Sequence, residues 1–111
     1  MLRFGTDGVR GDADSELTDG FVGALGRAVA SVLAADHVLV GRDTRESGGR
    51  VAEALAAGMA REGTTADMLG VLPTPAIAFH AAADGVPAAI VSASHNPWRD
   101  NGVKVVGADG R

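Results

Sequence analysis

The feature that most constrains this chain is an alternation between two hydrophobic periods. His37-Val-Leu-Val40 and Ala88–Val91 are short apolar runs, the pattern of strands buried on both faces. Ala66–Leu69 and Val103–Val106 read as two further strands. Between them the spacing becomes helical. Val22, Leu25, Val29, Val32 and Leu33 follow Thr18, a natural N-cap, and Val51, Leu55 and Met59 repeat every four residues up to Gly63. Thr74 with Pro75 predicts a third helix start, with Thr74 as N-cap and Pro75 at the first helical position, running to about Ala83. Strands that alternate with helices imply an α/β fold with a mostly parallel sheet and helices on both faces. Right-handed crossovers then gather the loops Gly41–Ser47, Gly70–Thr74 and Ser92–Asn101 at the carboxyl edge of the sheet, where such folds bind ligands. The sequence stops at Gly-Ala-Asp-Gly-Arg111, just after a strand and a turn. The expectation is a fold truncated before its last helix, with an unpaired strand edge.

A chain of 111 residues is one domain, 1–111, with 46% hydrophobic and 22% charged residues. It has no cysteine, which excludes disulfides, thiolate metal sites and a cysteine nucleophile. A net charge of −4 argues against nucleic acid or an anionic membrane as a general partner. The start, MLRFGTDGVRG, lacks an apolar signal core and no apolar stretch is long enough for a span, so a cytoplasmic protein is expected. A local basic site for a small anion remains compatible with all of this.

Three polar segments concentrate the chemistry. The densest, Ser92-Ala-Ser-His-Asn-Pro-Trp-Arg-Asp-Asn-Gly-Val-Lys104, holds two hydroxyls, an imidazole, two amides and several cations. It reads either as a long turn-rich loop or as a site. Lys104 is the only lysine among arginines. Lysine can release a proton where arginine cannot, which favours Lys104 as a proton-transfer group or compact phosphate clamp. Ser94 beside His95 does not make a hydrolase, because no nucleophile elbow and no third partner accompany them. Phe4-Gly-Thr-Asp-Gly-Val-Arg-Gly11 reads either as a glycine-freed phosphate cradle with Arg10 or as a β-turn. Gly41-Arg-Asp-Thr-Arg-Glu-Ser47 reads mostly as structure, a helix start with Asp–Arg pairing. His37 and His80 read as structural, and no spacing supports a metal site.

Together FGTDGVRG (4–11), GRDTRESG (41–48), LPTPA (72–76) and SASHNPWRDNGVK (92–104) resemble the phosphohexomutase superfamily. Within it they look most like its bacterial phosphoglucosamine mutases, with the phosphomannomutases and phosphoglucomutases as close alternatives. The resemblance implies that Ser94 carries a shuttling phosphoryl group whose phosphate also holds a catalytic Mg²⁺. His95 and Lys104 match positions of acid–base and phosphate handling, and Arg10 and Thr6 match residues lining the same cleft. It further implies a phosphosugar substrate and glucosamine 1,6-bisphosphate or glucose 1,6-bisphosphate as activator.

Members of that superfamily have four domains, and this chain corresponds to most of the first, the one bearing the phosphoserine. The aspartate-rich metal loop, the sugar-recognition loop and the distal phosphate loop have no counterpart here. Mg²⁺ prefers octahedral oxygen ligation, so one serine phosphate without a carboxylate cage should hold it weakly. Two readings follow. One is the first domain of an enzyme interconverting glucosamine 6-phosphate and glucosamine 1-phosphate, inactive alone. The other is a non-catalytic module forming a homodimer through its exposed sheet edge.

Overall fold

A computed structural model describes residues 4–5, 8–93 and 97–110. Among them run β1 (Phe4–Gly5), β2 (Gly8–Asp12), α1 (Asp19–Leu33), β3 (His37–Arg42), α2 (Gly48–Arg61), β4 (Thr65–Val71), α3 (Thr74–Asp84), β5 (Ala88–Val91) and β6 (Asp100–Val106). All described strands join one sheet in the order β1-β2-β6-β5-β3-β4.

The α/β class and the helices on both faces are as expected, but the sheet is mixed rather than mostly parallel. β3 is parallel to β4 and to β5, whereas β5–β6, β6–β2 and β2–β1 are antiparallel. The reason is connection length. A parallel crossover takes about a dozen residues or more, usually with a helix. The segment 92–99 between β5 and β6 is shorter and helix-free among its described residues, so the chain turns back. β6 therefore lies between β5 and β2. The outer strands of the described sheet are β1 and β4, and β4 exposes Met68 and Val71.

Strand alternation divides the core into two layers. Val38, Val40, Ala89, Val91, Val9 and Val103 point to one face, where Val22 and Val29 of α1 and Val51, Leu55 and Met59 of α2 cover them. Leu39, Ala88, Ile90 and Val106 point to the other face, against Ile77 and Ala81 of α3. Leu55, Met59 and Ile77 are all fully buried; burying such a side chain stabilises the fold by about 1.5–3 kcal/mol each. α1 and α2 pack backbone to backbone. A Cβ at Gly58 would stand 2.0 Å from the Gly23 carbonyl oxygen, so only glycine fits there.

Local signals act as chemistry dictates. The Thr18 hydroxyl accepts from the Phe21 amide at 3.2 Å and caps α1. α3 begins one position earlier than expected: Pro73 is its N-cap and Thr74 its first residue. Gly63 follows α2 at φ +79°, a conformation that ends a helix cheaply only with glycine. No helix among the described residues is long and apolar enough to cross a membrane.

Candidate active site

The carboxyl ends of β3 and β5 bring the 43–47 and 92–99 segments side by side, as the sequence order predicts. Ser94, His95 and Asn96, at the centre of the second loop, lie outside the described residues, as does Thr6. The residues on either side are placed: Ala93 is buried and Pro97 exposed.

Both shoulders of this loop are tied to the 43–47 segment. The Ser92 hydroxyl donates to Asp43 Oδ2 at 2.7 Å, and the Asp43 amide donates to the Val91 carbonyl at 3.2 Å. On the returning side, Arg45 Nη1 donates to the carbonyls of Pro97 (2.7 Å) and Asp100 (3.2 Å). Arg45 Nε bonds Asp43 Oδ2 at 3.1 Å, closing the network, and the guanidinium lies 5.7 Å from the Trp98 ring centroid. Arg45 is 3% exposed. Asn101, wholly buried at the start of β6, donates from Nδ2 to Ser47 Oγ at 2.9 Å. Ser47 holds the N-cap position of α2 but makes no cap bond there. The expected Asp–Arg pairing within 41–47 is thus present, and it reaches across to the second loop. The sequence signal for that reach was weak, since Asp, Ser and Asn are equally ordinary loop residues.

Arg10 and Lys104 meet on the sheet itself. Arg10 of β2 pairs with Gly102 of β6, and Lys104 pairs with Ile90 of β5. Since Val9, Val103 and Val105 take the α1–α2 face, Arg10, Gly102 and Lys104 share the opposite one. Diagonal neighbours of this kind lie about 7–8 Å apart, within reach of long side chains. α3 packs on β3 and β5, leaving the β6–β2 part of that face without a helix of its own among the described residues. Both cations are half-buried. Among the described residues no group hydrogen-bonds or ion-pairs with the Lys104 ammonium. Arg10 lies over Gly102: a Cβ there would sit 2.9 Å from Arg10 Cγ. Gly102 was not singled out as a site residue, though its place two residues before Lys104 was visible.

The described residues of the stretch 4–11 lie in two strands. Phe4 and Gly5 pair with Val9 and Gly8, and Gly8 takes φ +80°. At the far end of β2, Asp12 accepts from the Ser15 amide, the Ser15 hydroxyl and the Asp14 amide. These bonds, the Ser15 amide foremost, hold its carboxyl below the usual range, with Arg99 Nε at 3.8 Å contributing least. Glu16, which accepts from the Asp12 amide at 3.0 Å, is lowered too.

Among the described residues no three His, Asp or Glu side chains cluster as a metal site. The implied Mg²⁺ therefore has no ligand cage in the described part of this chain.

The sequence pattern of "Phosphoglucomutase/phosphomannomutase, alpha/beta/alpha domain I" matches residues 1–111. The phosphoglucosamine mutase of Rubrobacter xylanophilus is 52% identical over 111 residues, covering 99% of this chain and 25% of that protein. That of Desulforudis audaxviator is 48% identical, covering 96% and 25%. A solved phosphoglucomutase/phosphomannomutase family protein from Burkholderia thailandensis superposes with a TM-score of 0.86 at 31% identity, over 98% of this chain and 27% of that one. The chain thus spans about a quarter of the length of the relatives it matches.

Proposed function

The chain belongs to the phosphoglucomutase/phosphomannomutase family, whose alpha/beta/alpha domain I it matches along its whole length, and on that premise we propose that it is the phosphoserine domain of a phosphoglucosamine mutase. In this reading Ser94 alternately gives and takes the phosphoryl group as glucosamine 6-phosphate and glucosamine 1-phosphate interconvert through the 1,6-bisphosphate. In the loading step the bond from phosphorus to the sugar oxygen breaks and one from phosphorus to Ser94 Oγ forms. The hydroxyl proton of Ser94 passes to the sugar oxygen, with His95 and Lys104 as the groups that handle it. Return of the phosphoryl group to the other sugar hydroxyl completes the exchange. Phosphoryl transfer of this kind depends on positioning and charge neutralisation more than on covalent chemistry.

The observation that carries the reading is that Arg10, paired with Gly102, and Lys104, paired with Ile90, share one sheet face near the strand ends that flank 92–99. Two cations there, one with no described partner for its ammonium, suit a dianionic phosphate better than a core. The preference for an amino sugar rests on the relatives' names. The Burkholderia thailandensis structure favours, as a second reading, a phosphoglucomutase or phosphomannomutase substrate. Mg²⁺ would supply charge neutralisation, and its oxygen ligands would come from the Ser94 phosphate and from outside this chain. Turnover by the 111-residue chain alone is not expected, because sugar-reading residues lie in the remaining three-quarters of such proteins.

The test is to incubate a complete mutase carrying this domain with Mg²⁺ and glucosamine 1,6-bisphosphate and read its intact mass, with Ser94→Ala beside it. Gain of one phosphoryl group that the Ser94→Ala chain does not show supports the reading. No gain, or an equal gain in both chains, removes Ser94 as the acceptor in this domain.

A further inference from the structure

The one buried arginine of the described chain stands outside the phosphate-binding pair, and nothing so far gives it work in the reaction. Arg45 is 3% exposed. Its bonds go to the two carbonyls at which the 92–99 loop returns to the sheet, Pro97 at 2.7 Å and Asp100 at 3.2 Å. Through Asp43 Oδ2, which takes both Arg45 Nε at 3.1 Å and the Ser92 hydroxyl at 2.7 Å, it is joined to the point where the loop departs. Trp98 lies against its guanidinium. The guanidinium is therefore tied to both described ends of the 92–99 segment, directly at Pro97 and Asp100 and through Asp43 at Ser92.

We infer that Arg45 is a positioning residue for phosphoryl transfer at Ser94, because it locks both shoulders of the loop that presents the serine hydroxyl. The inference rests on the reading of Ser94 as the phosphoryl acceptor. Guanidinium is suited to this as ammonium is not, since its fork bonds several acceptors in one plane. The core owes Arg45 little: both hydrophobic layers are made by other residues. Its loss therefore loosens the loop before it unfolds the domain. A shift of about 1 Å in a reacting group lowers rate by about 100-fold, so loosening here is read in chemistry.

The experiment compares Arg45→Met and Arg45→Lys with the wild-type chain in two assays. In hydrogen exchange, the amides of Ser92 (bonded to Gly102 O) and Asp100 (bonded to Pro97 O) report the two shoulders, and Leu39 (bonded to Pro87 O) reports the core. Arg45→Met is expected to speed exchange at both shoulders by about tenfold or more while Leu39 is unchanged, the mark of local opening. Acrylamide quenching of Trp98, the only tryptophan, should rise in parallel. In the second assay, made on a complete mutase carrying this domain, glucosamine 1,6-bisphosphate is the phosphoryl donor and intact mass is followed over time. The maximal rate should fall by about 100-fold in Arg45→Met, with the half-saturating donor concentration unchanged and Arg45→Lys intermediate. Exchange that is unchanged, or that rises equally at Leu39, overturns the inference, as does loading of Ser94 at the wild-type rate. Should Arg45→Met not fold, Arg45→Lys decides on the same readings. A complete wild-type mutase that takes no phosphoryl group overturns the Ser94 reading and this role with it, an outcome distinct from loss in the variants alone.

Discussion

Gly102→Ala separates what glycine does for the site from what it does for the chain's flexibility. On propensity alone alanine should help, since glycine within a strand is worse than alanine by about 0.5–1 kcal/mol. Space decides otherwise. An added Cβ would stand 2.5 Å from the Val9 carbonyl oxygen, 2.9 Å from Arg10 Cγ and 3.0 Å from the Ser92 carbonyl oxygen. Two of these are backbone atoms, one in β2 and one at Ser92 just after β5, and backbone cannot swing away as a side chain does. Overpacking of this kind costs about 1–3 kcal/mol, so the net loss expected is on the order of 1–2 kcal/mol once the propensity gain is subtracted. For a domain of this size that lowers Tm by roughly 5–15 °C, measurable by far-UV circular dichroism. Gly49→Ala is the control, because nothing lies within 4 Å of its Cβ position, and it should hold or gain up to about 1 kcal/mol. Adding Arg10→Ala to Gly102→Ala relieves only the Cγ contact, so the pair should recover a minor part of the loss. A Gly102→Ala chain as stable as wild type, or full recovery with Arg10→Ala, would refute the backbone argument.

In a complete mutase carrying this domain, Lys104→Arg keeps the charge but removes a releasable proton; turnover should fall at least tenfold while substrate binding holds, and unchanged turnover excludes a proton role. Asp12 and Glu16 have folded-state pKa values below their ordinary 3.8 and 4.5. Groups so lowered stabilise the fold fully above the ordinary values, and that contribution is lost as pH falls through the folded ones. Acid unfolding of the wild type should therefore steepen below about pH 4, and Asp12→Asn should flatten that limb while leaving phosphoryl acceptance at Ser94 intact.

The parts of the fold legible in the sequence are those with one strong local cause. Ala88–Val91 is a strand as read because every residue in it is buried, and Thr18 caps α1 because its hydroxyl meets a free amide. β1 and β2 were not legible as strands. Their glycines, Gly5, Gly8 and Gly11, carry no strand preference, and at Gly8 a Cβ would fall 2.1 Å from the Val103 carbonyl oxygen, so the close partner strand is what selects glycine. The mixed sheet has another cause, the 92–99 connection, which is too short for a parallel crossover and turns β6 back against β5.

Arginine shows why the candidate site was only half legible. Arg10 and Arg45 both sit in polar, glycine-containing segments with a nearby aspartate, and one-dimensional pattern gives no means of telling them apart. Their surroundings separate them. Arg45 is enclosed by carbonyls and a carboxylate that use its donors within the domain, whereas Arg10 lies half-buried on a sheet face that it shares with a lysine. Two like charges on one face repel, and an anion that bonds both relieves that repulsion. Phosphate should therefore stabilise the wild-type chain, and Lys104→Met should weaken that response while raising the stability of the phosphate-free chain. A phosphate-induced Tm rise that survives Lys104→Met unchanged would place the anion elsewhere and separate Arg10 from Lys104 in function.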